Sequence, residues 1–330
     1  MSNTKLVKDK LQKLYLGIDT SCYTTSAAVY DSSKGLMGEE RIVLSVKEGR
    51  RGLSQSEMVF QHVKNLPVLL RRLSPLLQDL KGIGVSGFPR RRADSYMPAF
   101  LVGRGMAEAL SSSHHIPLYV FSHQENHAMA AIREAPALWG KPFYMMHMSG
   151  GTQDVLSCQW QEEGMEIHEL LTSKDITAGQ FIDRVGVALG LPFPCGKWLE
   201  ALAEQGNDTY RIPRSSVKGA FSFSGPETRV QRDIASDAYR KEDIAKGVLI
   251  HIGRALEKEL SGYPFEKGRP FIAVGGVMAN RYLRARVEEI CQAIGLTPLF
   301  ADPRYSSDNA TGNAFGAYMK SEECGIRSDW

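Results

Sequence analysis

The chain has 330 residues and a formal net charge of +3, too small to argue nucleic-acid binding by itself. Its 43% hydrophobic and 23% charged residues are ordinary for a soluble globular protein, and the length favours two domains over one. Five scattered cysteines (Cys22, Cys158, Cys195, Cys291 and Cys324), none in a C-x-x-C pair, suggest neither a disulfide framework nor a cysteine zinc site.

The N-terminal segment carries Lys5, Lys8, Lys10 and Lys13 and has no long apolar stretch, so it does not read as a signal peptide. No run approaches the roughly 20 apolar residues of a membrane helix. A cytoplasmic protein with no membrane partner is the expectation. Residues 14–18 read as a buried strand ending in Asp19-Thr20-Ser21, and residues 25–30 as a second strand. Helical spacing of Met58, Val59, Val63, Leu66, Leu69, Leu70 and Leu73 predicts a helix over 56–77. A strand at 83–86 and a helix at 99–110 follow. Residues 118–121 form a short strand before Ser122, which fits an N-cap with Glu125 as its capping-box partner.

The pattern then restarts. A strand at 143–146 leads into Ser149-Gly150-Gly151-Thr152, and a strand at 155–160 pairs with it. Helical stretches are expected at 179–189 and, as two pieces, across 234–260. A strand at 271–274 ends in Gly275-Gly276, a helix begins near Asn280, and a last helix covers 309–320. Strand, hydroxyl- or glycine-rich turn, strand, then helices thus occurs twice. That order argues an α/β class with a mixed sheet in each half.

Turns rich in Gly, Ser and Thr offer backbone N–H and hydroxyl donors that suit phosphate oxygens. Each can also be only a tight turn. Two in equivalent places, at Asp19-Thr20-Ser21 and at 149–152, with Gly275-Gly276 as a third, favour a nucleotide cleft between two similar domains. Gly82-x-Gly84-x-x-Gly87 matches the dinucleotide fingerprint but sits in the wrong context. A helical segment precedes it, and Phe88-Pro89-Arg90 follows where a helix must begin. It reads instead as a glycine-rich strand with close neighbours. Arg90-Arg91-Arg92 is either a solvated loop or a contact for a polyanion.

His123 and His127 are four apart, so both imidazoles lie on one helix face at the end of a strand. That arrangement suits a metal, or a satisfied structural pair. It is not the protease H-E-x-x-H, because Gln124 stands where the general base must be. A third ligand is needed. Asp308 is a candidate, although a Ser-Asp pair before a helix also reads as an N-cap, and spacing alone does not join it to the histidines.

Taken in order, these motifs resemble the TsaD-like family of tRNA threonylcarbamoyladenosine synthesis, which also carries the glycoprotease M22 label. Leu16-Gly-Ile-Asp-Thr-Ser-Cys22 is similar to the family's L-G-I-E-T-S-C, and Met148-Ser-Gly-Gly151 to V-S-G-G. The segment from 175 to 196 resembles D-D-A-A-G-E-A-F-D-K…L-G-L-x-Y-P-G-G. Gly275-Gly-Val-Met-Ala-Asn280 resembles G-G-V-S-A-N, and Ser307-Asp308-Asn309 resembles T-D-N. The resemblance covers nearly the whole chain. It implies the actin/Hsp70/sugar-kinase-like fold, an α/β architecture of two RNase H-like domains around a nucleotide cleft. The expected division is 14–128 plus 305–330 against 129–304. It implies a metal on His123, His127 and Asp308, with Fe(II) and zinc both suited to two His and a carboxylate. It implies that His147, Met148, Ser149, Gly150, Gly151, Asp183, Gly196 and Asn280 line the pocket for an adenine nucleotide or acyl-adenylate. Threonylcarbamoyl, or a related carbamoyl group, would pass from the adenylate to an acceptor such as tRNA adenosine. A TsaB-like paralogous subunit is the implied partner.

The chain also departs from the family pattern. The family opening continues T-S-C-D-E-T, whereas here Tyr23 and Thr24 replace the acidic pair. Thr152 stands where the family has His, Lys197 where it has Pro, and the loop from 87 to 98 is longer and basic. These departures describe a divergent paralogue. They leave two functions open: a transferase, or a non-catalytic metal- and nucleotide-binding subunit acting as a partner or regulator. A small-molecule kinase is disfavoured for want of a catalytic Asp in a sugar-kinase context.

Overall fold

A computed structural model describes residues 13–21, 23–46, 53–213, 219–302, 304 and 308–327, with side chains to 323. Lys5, Lys8, Lys10, Cys22, Ser306, Ser307 and the Cys324 side chain lie outside the described residues. The chain forms two compact units, Met1–Trp139 with Asp308–Trp330, and Gly140–Ser307.

The first unit is built on strand β1 (Leu14–Asp19), buried at every residue. It pairs antiparallel with β2 (Thr24–Asp31), which pairs antiparallel with β3 (Gly35–Val43). On its other side β1 runs parallel to β4 (Leu80–Phe88), and β4 parallel to β5 (Leu118–Ser122). Four helices complete the unit: α1 (Gln55–Leu73), α2 (Phe100–His114), α3 (His123–Ile132) and, from the far end of the chain, α9 (Thr311–Arg327). The start of α9 lies directly on the sheet and on α3 because three glycines leave room for it. A Cβ on Gly17 would overlap the Ala310 carbonyl, one on Gly84 the Asn313 carbonyl, and one on Gly312 the Asn126 carbonyl. Gly82, Gly84 and Gly87 all lie in β4, so the fingerprint-like run is a strand packed close against its neighbours.

The second unit repeats the pairing. Central β6 (Phe143–Met148) is antiparallel to β7 (Gln153–Gln161), which is antiparallel to β8 (Gly164–Thr172). On the other side β6 is parallel to β9 (Pro270–Val274), and β9 to β10 (Thr297–Phe300). Its helices are α4 (Ala178–Ala188), α5 (Gly196–Ala203), α6 (Ser224–Ala235), α7 (Lys241–Gly262) and α8 (Arg281–Ala293). Its core gathers Phe181, Phe223, Val248, Ile252, Leu256 and Phe271, all fully buried or nearly so.

The expected strand-and-helix order holds, with several additions. Strands β3 and β8 are edge strands in which charged residues interrupt the apolar pattern: Glu39, Glu40 and Arg41 in one, Glu166, His168 and Glu169 in the other. Strand β10 has four residues and one proline, and α5 has eight residues, too short for periodicity to register. Helix α6 begins at Ser224, well before the 234 expected.

Candidate functional site

Within the first unit, α3 starts where the sequence requires. Ser122 accepts from the Glu125 N–H, and the Glu125 carboxylate accepts from the Ser122 N–H at 2.7 Å, closing both arms of a capping box. His123 and His127 therefore stand on adjacent turns, with their Nε2 atoms 3.0 Å apart. Asp308 reaches the same point from the other end of the chain, its Oδ1 3.4 Å from each Nε2. The N-cap reading of Asp308 does not hold. The helix starts three residues on, at Thr311, whose N–H and hydroxyl both donate to Asn309 Oδ1. The Asp308 carboxylate is left facing the imidazoles.

Asn126, also on α3, is what brings α9 to this place. Its Oδ1 accepts from the Asn313 N–H at 2.8 Å, and its Nδ2 donates to the Asn309 carbonyl. Asn313 Nδ2 donates in turn to the Ile18 carbonyl and the Ser86 hydroxyl. The pairing of α3 with α9 is thus a buried amide network over β1 and β4.

Sequence reasoning missed the role of Asp19. It is fully buried, and its Oδ2 lies 2.7 Å from His123 Nδ1. The same oxygen accepts from Asn126 Nδ2 at 2.8 Å and from Ser86 Oγ at 3.2 Å, while Oδ1 accepts from the Ser21 N–H. This carboxylate holds one imidazole nitrogen and turns the other toward His127 and Asp308, the usual support for a metal-bound histidine. The turn at Asp19-Thr20-Ser21 therefore looks inward. Thr20 Oγ1 donates to the Ala99 carbonyl and accepts from the Gly103 N–H, so this hydroxyl is not free for a phosphate.

Burial works against a charged His123, but the adjoining Asp19 and Asp308 outweigh it and hold the imidazole well above its ordinary pKa. Burial likewise works against the Asp308 anion, but hydrogen bonds and charge from His123 and His127 hold its carboxyl well below the usual carboxylate range. The pocket thus favours positive charge at the meeting point of the three side chains. Two Nε2 atoms and a carboxylate oxygen, all within 4.8 Å of one another, make a donor set that fits Fe(II) or zinc.

The second unit carries the other expected residues. His147 and Met148 close β6, and the turn that follows is fastened by Ser149, whose N–H donates to the Thr152 carbonyl at 2.8 Å. Ser149 Oγ accepts from the N–H groups of Gly151 and Thr152. Thr177, which caps α4, donates to the carbonyls of Ser149 and Gly150. Gly179 and Gly275 let the turn sit close: a Cβ on the first would overlap the Ser149 carbonyl and on the second the Met148 carbonyl. Gly275 also has φ 109°, a conformation that favours glycine. Asp183 lies beside Gly150, and its Oδ1 accepts from the Cys195 N–H at 2.8 Å, which anchors the start of α5 at Gly196. Ser149, Gly150, Gly151, Asp183 and Gly196 are therefore neighbours. Asn280 stands at the start of α8, where its Oδ1 accepts from the Leu283 N–H as an N-cap.

The profile of the family described as TsaD, tRNA N6-adenosine threonylcarbamoyltransferase, matches residues 96–315. A protein of that name from Persephonella marina is 30% identical over 328 residues, spanning 96% of this chain and 92% of the relative. One from a Sulfurihydrogenibium species is 32% identical, spanning 94% of this chain and 91% of the relative. Among solved structures, component A of the (R)-2-hydroxyglutaryl-CoA dehydratase of Acidaminococcus fermentans superposes with a TM-score of 0.58 at 16% identity, over 94% of this chain and 99% of that one. A ROK family glucokinase from Streptomyces griseus gives 0.51 at 11% identity, over 93% and 99%. These likenesses show the fold, two α/β units of the actin/Hsp70/sugar-kinase type. No helix among the described residues is long and apolar enough to cross a membrane.

Proposed function

The chain belongs to the TsaD family of tRNA N6-adenosine threonylcarbamoyltransferases, and from that premise we propose that it is a metal-dependent threonylcarbamoyl, or related carbamoyl, transferase. The donor is an adenylate and the acceptor a tRNA adenosine. The observation that carries this reading is the convergence of His123, His127 and Asp308 on one point, with Asp19 orienting His123 from behind. His123 Nε2, His127 Nε2 and an Asp308 oxygen would hold an ion, which would supply Lewis acidity toward a carbonyl or phosphoryl oxygen. In the second unit the Ser149 and Gly151 N–H groups are spent inside the turn, so the Gly150 N–H is the backbone donor of 149–151 that would meet a phosphate, and Asp183 and Gly196 shape the same pocket. His147, Met148 and Asn280 belong to its frame, through β6 and the start of α8. A TsaB-like paralogous subunit and a cytoplasmic setting belong to this reading.

The second reading is a non-catalytic subunit that keeps the metal and nucleotide sites. It is favoured by one feature of the opening turn. Tyr23 is 42% exposed and Thr24 only 8%, and both replace carboxylates of the family pattern. Neither a phenol nor an alcohol supplies the pair of acceptor oxygens that a carboxylate brings.

The test is to supply threonylcarbamoyl-adenylate and tRNA and to measure the modified nucleoside by mass spectrometry. Product that disappears in His123→Ala supports the transferase. No product from a protein that binds both metal and adenine nucleotide supports the second reading. Product undiminished in His123→Ala contradicts the metal-dependent mechanism.

A further inference from the structure

The three consecutive arginines after β4 do not share one role. Arg90 is exposed, and its backbone N–H donates to Ser95 Oγ at 2.9 Å. Arg92 pairs with the equally exposed Asp94. Arg91 turns inward. Its Nε and Nη2 each lie 3.0–3.2 Å from both oxygens of the Glu125 carboxylate. Glu125 is 1% exposed and sits in the first turn of α3, between His123 and His127. One further contact joins the loop to the same turn of helix: the Gln124 N–H donates to the Pro89 carbonyl at 3.2 Å. The Arg91 guanidinium also lies 5.6 Å from the ring centre of Phe88, the last residue of β4.

A buried carboxylate is costly without a partner, and a two-toothed arginine fixes its orientation as well as supplying charge. Glu125 is therefore held from two sides, by the Ser122 N–H within its own helix and by Arg91 from the loop. The turn it fixes is the one that aims His123, with His127 one turn on. We propose that Arg91 is a positioning residue for the metal centre. By gripping Glu125 it fixes the first turn of α3, so that the two Nε2 atoms converge on Asp308. The inference rests on the reading that His123, His127 and Asp308 hold a metal. It gives the basic loop a part in that centre which neither a solvated loop nor a polyanion contact describes.

Substitution at Glu125 separates this role from capping. Glutamine at that position still accepts from the Ser122 N–H, as capping boxes with Gln do, but offers Arg91 no charge. Arg91→Gln leaves the buried Glu125 carboxylate without its cation, whereas Arg91→Gln with Glu125→Gln removes that stranded charge. The experiment measures Zn(II) and Co(II) affinity by chelator competition, well below each variant's Tm, together with the Co(II) visible spectrum. Arg91→Gln and Glu125→Gln are each expected to weaken binding about tenfold, the lower end for groups that support metal ligands from behind. Arg91→Lys falls between them and the parent. The double variant regains thermal stability relative to Arg91→Gln but not metal affinity, because the grip is still missing. Lowered Tm with unchanged affinity and spectrum in Arg91→Gln and Glu125→Gln would mean that Arg91 merely holds the loop, and would overturn the inference. If His123→Ala binds metal as tightly as the parent, the metal reading itself fails, and this inference with it.

Discussion

Asp19 Oδ2 lies 2.7 Å from His123 Nδ1, joining the last residue of the first strand to the first residue of a helix 104 positions later. This contact fixes which nitrogen of His123 faces Asp308. Asp19→Asn should therefore weaken metal binding by roughly 10- to 100-fold although Asp19 is not itself a ligand. Chelator competition on the folded variant checks it. Unchanged affinity would mean that the ring is aimed by packing alone.

A second outcome concerns the close approach of α9. An added methyl at Gly312 meets the Asn126 carbonyl and the Ala130 backbone nitrogen. Gly312→Ala should destabilise the protein by about 1–3 kcal/mol, as overpacking of a filled site does. It should also lower metal affinity, because Asp308 moves with the start of α9. Urea unfolding and metal titration measure the two effects, and a purely thermal effect would count against the coupling.

The fold was largely legible in the sequence, because buried strands and capped helices write their own periodicity. Ser122 and Glu125 marked the start of α3 by type and spacing alone. The edge strands were not legible, since the consecutive polar residues Glu39-Glu40-Arg41 and His168-Glu169 break the alternation. The site was half legible. His123 and His127 share a helix face, but Asp308 joins them through the contacts of Asn126 with Asn309 and Asn313, which span 183 and 187 positions. Asp19 and Arg91 contact His123 and Glu125 from behind, and nothing in local spacing reports such contacts. An aspartate ending a fully buried strand was the available signal for the first.

The turn at 149–152 gives a test of nucleotide binding. Gly151 is exposed and has open space where a side chain would grow. Gly151→Asp should fold normally and place a like charge against phosphate. An adenine nucleotide at a hundredfold its Kd should stabilise the parent by about 2.7 kcal/mol. The variant should show no such gain. A thermal shift equal in both would place the phosphate elsewhere.

His251 sets a pH dependence. It is 5% exposed, with the Phe181 and Phe223 rings about it at 6.2 and 6.3 Å. Burial lowers its pKa from 6.5 to about 4. The unfolded chain then binds a proton that the folded one refuses, so stability falls as pH drops through that window and levels off below it. The loss attributable to this ring is at most roughly 3 kcal/mol. In His251→Phe, urea unfolding at pH 7 and pH 4.5 should differ by correspondingly less than in the parent. An equal difference would assign the acid sensitivity to other groups.

Metal content of the purified protein tests the central claim most directly. Prepared without chelator and analysed by plasma mass spectrometry, the parent should carry about one iron or zinc ion per chain, the capacity of a single two-histidine, one-carboxylate site. His123→Ala and Asp308→Ala, folded by circular dichroism, should each carry almost none. Full metal content in both variants would contradict the site.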